Sequence, residues 1–106
     1  NGGIDHNYVL KGHSIDKVIA YIYSKITGMG VEYSTDQPGI QFYTGNMMKE
    51  SYNGKHNRNY GLQYGMCLET QIFPDAINQP DFPSTILKKG ETYSSNTKIK
   101  LRNDFI

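Results

Sequence analysis

Residues 39–44 read Gly-Ile-Gln-Phe-Tyr-Thr, and this short run decides the fold class. Apolar and polar side chains alternate along it, so that Ile40 and Phe42 fall on one side while Gln41 and Tyr43 fall on the other. A period of two residues is that of a β-strand, in which successive side chains point to opposite faces of the sheet. The run therefore predicts a half-buried strand.

Similar segments follow one another along the chain, separated by turn signals. Residues 27–30 separate two of them at hairpin spacing, and Pro38 followed by Gly39 suits a type II turn in which glycine takes a positive φ. No helical period, internal repeat or interdomain linker is visible, so residues 1–106 are expected to form all-β structure without an internal domain boundary. The predicted strands are 8–10, 17–24, 31–34, 40–44, 65–72 and 97–101, and strand 17–24 is expected to be covered on both faces.

Two stretches carry no strand signal. Residues 46–60 are rich in Asn, Gly, Lys and His, which predicts a long surface loop. Residues 74–83 hold three of the 4 prolines, which predicts an irregular segment.

The charge balance and the cysteine count limit the class of function. Lys and Arg number 11 against 10 Asp and Glu, and they are spread along the chain, so no nucleic-acid partner is expected. The longest apolar run, residues 18–23, is too short to cross a bilayer, so no membrane partner is expected. One cysteine, Cys67, excludes an internal disulfide and favours a cytoplasmic location, with the thiol packed in the core rather than reactive.

Two strands carry candidate binding or catalytic groups. Gln41 and Tyr43 place an amide beside a phenol, a pair that can bind hydroxyl-rich ligands, although ordinary strands also turn such residues to water. On the strand near residue 70, alternation groups Cys67, Glu69 and Gln71. If that face is partly buried, desolvation would make Glu69 a better general base. The alternative is that Glu69 is an ordinary surface glutamate without a catalytic role.

The remaining polar clusters are less specific. Asp5, His6 and Asn7 could position a ligand or cap a turn. His13 and His56 lie in polar surroundings and are expected to be solvated. No combination of the 3 His with the single cysteine has zinc-ligand spacing, so no metal is predicted, and no phosphate-binding glycine loop or nucleotide motif is present.

Six segments in register resemble the aldose 1-epimerase family. They are residues 3–10 (Gly-Ile-Asp-His-Asn-Tyr-Val-Leu), 35–46 (Thr-Asp-Gln-Pro-Gly-Ile-Gln-Phe-Tyr-Thr-Gly-Asn), 67–71 (Cys-Leu-Glu-Thr-Gln), 73–80 (Phe-Pro-Asp-Ala-Ile-Asn-Gln-Pro), 82–84 (Phe-Pro-Ser) and 87–93 (Leu-Lys-Lys-Gly-Glu-Thr-Tyr). The resemblance implies a galactose-mutarotase-like antiparallel β-sandwich, or supersandwich, of which this chain is the C-terminal part.

The resemblance also implies roles for single residues. Glu69 corresponds to the family's catalytic base, Asp5 to a carboxylate that binds sugar hydroxyls, and Gln41 to an amide near the substrate. The family's acid is a histidine in a motif that lies upstream of everything here, and His6 is expected to be structural. The implied activity is interconversion of the α and β anomers of a free aldohexose without a cofactor, and these residues alone are expected to be inactive.

Two other functions remain open on the same fold. A noncatalytic carbohydrate-binding or regulatory relative would keep the pocket and lack the acid. A hexose-phosphate epimerase would need cations over the phosphate, for which the chain offers only Arg58 and Arg102. The expected partners are an aldohexose and the N-terminal part of the domain, in the same or another chain.

Overall fold

A computed structural model describes residues 2–49 and 52–105 of the chain. In these residues the regular structure consists of β-strands and two 3-10 turns, Lys55–Asn57 and Ala76–Asn78, without an α-helix. The all-β class is therefore confirmed. The strands are β1 (Asp5–Val9), β2 (Ala20–Tyr23), β3 (Gly30–Thr35), β4 (Gly39–Tyr43), β5 (Tyr52–Asn53), β6 (Asn59–Tyr60), β7 (Cys67–Gln71) and β8 (Thr97–Arg102).

The longer strands form two antiparallel sheets. Sheet 1 has the order β1-β4-β7, and sheet 2 has the order β2-β3-β8. β2 and β3 pair as the predicted hairpin, and the chain then crosses from sheet 2 to sheet 1 between Thr35 and Gly39. Because β1, β4 and β7 are separated by long stretches of sequence, the sheet that carries the candidate residues is built from non-local pairs.

Two sequence-based expectations about the strands are wrong. The segment 46–60 is not all loop, because β5 and β6 pair through Asn53 and Asn59. The segment 17–24 is a strand only over Ala20–Tyr23, and one of its faces is open, with Tyr21 63% exposed. Tyr21 forms a stack of aromatic rings with Tyr23 and Phe105.

The apolar faces of the two sheets meet around a cavity of about 290 Å³. Ile40 of β4, 4% exposed, is the most buried apolar residue there. A chain of hydroxyls also joins the sheets: the Oγ1 atoms of Thr70 and Thr97 are 2.7 Å apart, and Thr97 Oγ1 lies 3.0 Å from that of Thr35. The cavity is lined by Tyr8, Leu10, Ile19, Ala20, Tyr21, Ile22, Ile40, Phe42 and Leu68.

Much apolar surface of these sheets stays uncovered. Ile99 and Leu101 of β8 are 56% and 72% exposed, and Ile40 and Ala76 are the buried apolar residues of the described chain. The radius of gyration is 16.7 Å, whereas a compact domain of this length has one of about 13 Å. The described residues thus do not close a core by themselves. No helix within them is long and apolar enough to span a membrane.

Asp36 ties the crossover between the sheets to the start of β8. Its carboxylate accepts hydrogen bonds from the backbone N–H of Asn96 at 3.0 Å, from Asn96 Nδ2 at 2.9 Å and from Gln37 Nε2 at 3.0 Å. These donors, above all the backbone N–H of Asn96, lower the pKa of Asp36 from its ordinary value of 3.8. The ionised form of Asp36 is therefore the one that the fold stabilises.

Asp36→Ala is expected to lower the melting temperature at pH 7 by roughly 4 °C, because several hydrogen bonds at the crossover are lost. Since the pKa is depressed on folding, this stabilisation is fully present above about pH 3.8 and is lost as the pH falls through the lower folded-state value. Thermal unfolding of wild type and variant between pH 7 and pH 3 measures the difference.

Asp81→Ala is the matched control, because Asp81 is exposed and makes no hydrogen bond or ion pair within residues 2–49 and 52–105. It should melt with the wild type throughout. A difference between the Asp36 variant and wild type that stays constant down to pH 3 would show that the carboxylate charge plays no part.

Candidate active site

One face of sheet 1 carries most of its polar side chains. In antiparallel pairs, residues directly opposite one another point to the same side of the sheet. The register of β1 with β4 and of β4 with β7 therefore aligns alternate residues of the three strands in rows on one face, here called the polar face. Its rows are Asp5, Tyr43 and Cys67; then Asn7, Gln41 and Glu69; then Val9, Gly39 and Gln71.

The structure brings Asp5, Gln41 and Glu69 together on this face. Glu69 lies directly opposite Gln41 in the register of β4 with β7. Gln41 Nε2 donates a hydrogen bond of 2.7 Å to Asp5 Oδ1, which fixes the amide against the carboxylate. Two carboxylates thus flank one amide across three neighbouring strands.

Above these groups lies a shallow depression of about 380 Å³. It is open, and Asp5 and Glu69 are exposed. The partial burial that would strengthen Glu69 as a base is therefore not supplied by the described residues. The depression is lined by Asp5, Gln41, Tyr43, Met47, Glu69, Gln71 and Pro74.

The chemistry of this lining suits a ligand with many hydroxyl groups. Ionised carboxylates such as Asp5 and Glu69 only accept hydrogen bonds, whereas amides and phenols also donate them. Each sugar hydroxyl both donates and accepts, so a mixed set of this kind can bind several at once. A carboxylate with a free oxygen can also take a proton from a bound hydroxyl.

A second amide contact spans all three strands and was not expected from the sequence. Gln71 Nε2 on β7 donates to Asn7 Oδ1 on β1 at 3.2 Å, passing over the glycine of β4. A Cβ atom at Gly39 would lie 2.8 Å from Asn7 Oδ1 and 3.1 Å from Phe73 Cδ1. A side chain at position 39 would therefore displace Asn7 from its contact with Gln71.

Gly39 also lacks the backbone conformation that the expected type II turn requires. The predicted positive φ at Gly39 is wrong, because Gly39 is the first residue of β4 and is not among the glycines with positive φ. A sequence shows that glycine is present, but it does not show which distant side chains approach it. In the sequence, only the polar character of Asn7 and Gln71 pointed to this contact. The strand register that brings the two side chains together is visible only in the structure.

Cys67 is exposed at the edge of the polar face, so its expected packing in a core is wrong within the described residues. Strand alternation already grouped it with Glu69, and the face that they share is the open one. Its row partner on β4 is Tyr43.

The histidines lie away from the polar face. His6 alternates with Asp5 on β1, so it points to the other side of sheet 1, where Phe42 is its register partner. His13 and His56 are exposed, as expected. Within the described ranges there is also no cluster of three or more His, Cys, Asp or Glu side chains that could hold a metal ion.

Comparison with known proteins gives a consistent result. A family model described as aldose 1-epimerase matches residues 1–100. The galactose mutarotases of Bos taurus and Homo sapiens are 45% and 44% identical to the chain over 98 residues. The aldose 1-epimerase of Escherichia coli K12 is 31% identical over 101 residues. Each alignment covers 92% of this chain and 29% of the relative.

The fold and the polar face define an antiparallel β-sandwich protein with a hydrogen-bonding surface of carboxylates and amides. The chain belongs to the aldose 1-epimerase family, because the family model matches nearly all of it. It spans 29% of the length of the relatives named above, within their C-terminal portion.

Proposed function

We propose that this chain forms part of the active site of an aldose 1-epimerase, which interconverts the α and β anomers of free aldohexoses such as galactose or glucose. The observation that carries the proposal is the placement of Glu69 opposite Gln41, which in turn holds Asp5. The 45% identity to the galactose mutarotase of Bos taurus supports the same substrate class.

In this proposal Glu69 is the general base. Its carboxylate takes the proton from the anomeric hydroxyl while an acid protonates the ring oxygen, and the bond between C1 and the ring oxygen breaks. The free aldehyde forms, the C1–C2 bond rotates, and the ring closes on the other face of C1. The base then returns its proton to the new anomeric oxygen, and the acid recovers its own.

Asp5 and Gln41 bind the sugar in this scheme. Asp5 keeps a second carboxylate oxygen as an acceptor, since the hydrogen bond from Gln41 reaches Oδ1. Gln41 Nε2 has a second N–H, which can donate to a substrate oxygen. Holding the pyranose by its hydroxyls places the anomeric centre within reach of Glu69, and such positioning is a large part of the rate enhancement.

In this proposal the acid is a histidine in the other part of the domain, as the resemblance to the family implies. Asp5 and Glu69 act as ionised acceptors in the scheme, and no histidine is among the lining residues. We infer that the chain is one part of a larger domain, whose other part supplies the acid and covers the exposed apolar faces. That part belongs to the same or another polypeptide, and the two parts together form the complete protein. The reaction itself needs no cofactor.

A cytoplasmic location is part of the proposal. Free thiols persist in reducing compartments, and Cys67 is exposed and unpaired.

The phosphate-specific alternative is less well supported by the geometry. Neither Arg58 nor Arg102 lines the depression, and Arg102 is paired with Glu32 at 3.1 Å on sheet 2. A phosphate group would find two carboxylates and no cation among the lining residues. The binding-only alternative differs from the enzyme in the acid, which lies beyond these residues, so activity decides between them.

Polarimetry on the complete protein tests the proposal. Freshly dissolved α-galactose and α-glucose should reach their anomeric equilibrium faster in proportion to protein concentration, without added metal or nucleotide. Galactose 6-phosphate should be a poorer substrate, because its phosphate meets like charge. Saturable sugar binding without acceleration would instead identify a noncatalytic binding protein.

A further inference from the structure

Tyr43 occupies a central place on the polar face that the proposed mechanism leaves unused. It lies on β4 between Asp5 and Cys67, one row from Gln41, and it lines the depression. Its phenol oxygen accepts a hydrogen bond of 3.0 Å from the backbone N–H of Met47, which lines the same depression.

The turn after β4 fixes this contact. Gly45 has a φ of +69°, and a Cβ atom there would lie 2.8 Å from the carbonyl oxygen of Gly65. The Met48 N–H then donates to the Gly45 carbonyl at 3.2 Å, which closes the turn. The chain thereby folds back until the Met47 N–H reaches the Tyr43 side chain, so the phenol oxygen is held by backbone rather than by a mobile side chain.

The orientation of this hydrogen bond leaves the phenol proton unused. A phenol carries one O–H and two lone pairs, and the Met47 N–H uses a lone pair. No group in residues 2–49 and 52–105 accepts the Tyr43 O–H. The hydroxyl is therefore an oriented donor beside the depression.

Few hydrogen-bond donors line the depression. Asp5 and Glu69 only accept hydrogen bonds, and one N–H of Gln41 is already given to Asp5. A bound aldohexose presents several hydroxyl oxygens that also accept hydrogen bonds, and each further donor that reaches one of them strengthens binding.

We propose that Tyr43 is a further substrate-binding residue, whose O–H donates a hydrogen bond to one of the non-anomeric hydroxyl oxygens of the sugar. This inference rests on the proposed function. The Met47 N–H presets the position of the phenol oxygen, so that little side-chain entropy is lost on binding.

The test uses Tyr43→Phe in the complete protein, with galactose and its 2-, 3-, 4- and 6-deoxy analogues. For galactose, kcat/KM is expected to fall roughly tenfold, as for loss of one neutral hydrogen bond. For the analogue that lacks the hydroxyl bound by Tyr43, wild type and variant should be equal within about twofold. An equal loss of kcat/KM on galactose and all four analogues would show that Tyr43 only supports the turn at Met47. An unchanged kcat/KM on every sugar would also overturn the proposal.

Tyr8→Phe is the matched control, because Tyr8 lies on β1 and lines the cavity between the sheets instead. It should behave as the wild type on every sugar. Calorimetric titration of the same sugars distinguishes failure of this proposal from failure of the proposed function. If the wild type binds the sugars without turnover, the epimerase function is wrong, but the Kd values of wild type and Tyr43→Phe can still be compared. A wild type that neither binds nor turns over defeats both.

Discussion

Glu69→Gln is expected to reduce the turnover number of the complete protein about a thousandfold, within the range of roughly 10²- to 10⁴-fold for loss of a general base. Glutamine has nearly the same size and keeps one hydrogen-bond acceptor, so the sugar should still bind. It cannot take the proton of the anomeric hydroxyl at neutral pH. Polarimetry with α-galactose measures the turnover number, and calorimetric titration measures the retained binding.

Glu91→Gln is the control for this experiment. Glu91 is an exposed glutamate whose Oε2 accepts a hydrogen bond from the Lys88 N–H, and it does not line the depression. Its variant should retain full turnover. Retention of more than about a third of wild-type turnover in the Glu69 variant would contradict the assignment of Glu69 as base, since a base contributes at least about a hundredfold.

Residues 1–106 alone are expected to produce no measurable acceleration of mutarotation. In the proposed mechanism the described residues supply the base but not the acid, and their sheets expose apolar side chains such as Ile99 and Leu101, which are 56% and 72% exposed. An open sheet of this kind does not hold side chains to the precision that catalysis needs. Polarimetry at high concentration of the isolated chain, with binding of a fluorescent apolar dye as a second readout, measures both consequences.

The other part of the domain, added as a separate chain, should restore activity and reduce dye binding. The Glu69→Gln form of the isolated chain is the control for a contaminating epimerase. If the isolated wild-type chain catalyses at a rate within about tenfold of the complete protein and its Glu69 variant does not, then the inference of a missing acid is wrong.

The strands were predictable because their signal is local. Alternation in residues 39–44 and 66–71 follows from backbone geometry, which turns successive side chains to opposite faces. It correctly grouped Gln41 with Tyr43, and Cys67 with Glu69 and Gln71. The strand limits were less accurate, since a strand ends where its partner ends: β1 extends back to Asp5 because it pairs with Tyr43.

The open faces were not predictable in the same way. Residues 17–24 carry apolar side chains on both sides, which is typical of a strand covered twice, yet Tyr21 is 63% exposed. Cys67 was expected in a core and lies at an open edge. Composition records what a side chain favours, whereas exposure depends on which other elements are present to cover it.

The sequence by itself determined the all-β class, the sharing of a face within each strand and, through its motifs, the family. Only the tertiary structure decided that Asp5, Gln41 and Glu69 lie on one face, with Tyr43 beside them. It also decided that Gln71 contacts Asn7 across Gly39. The physical reason is distance along the chain. The hydrogen bond from Gln41 to Asp5 joins residues 36 apart, and such pairing depends on strand order and register, which no local period encodes.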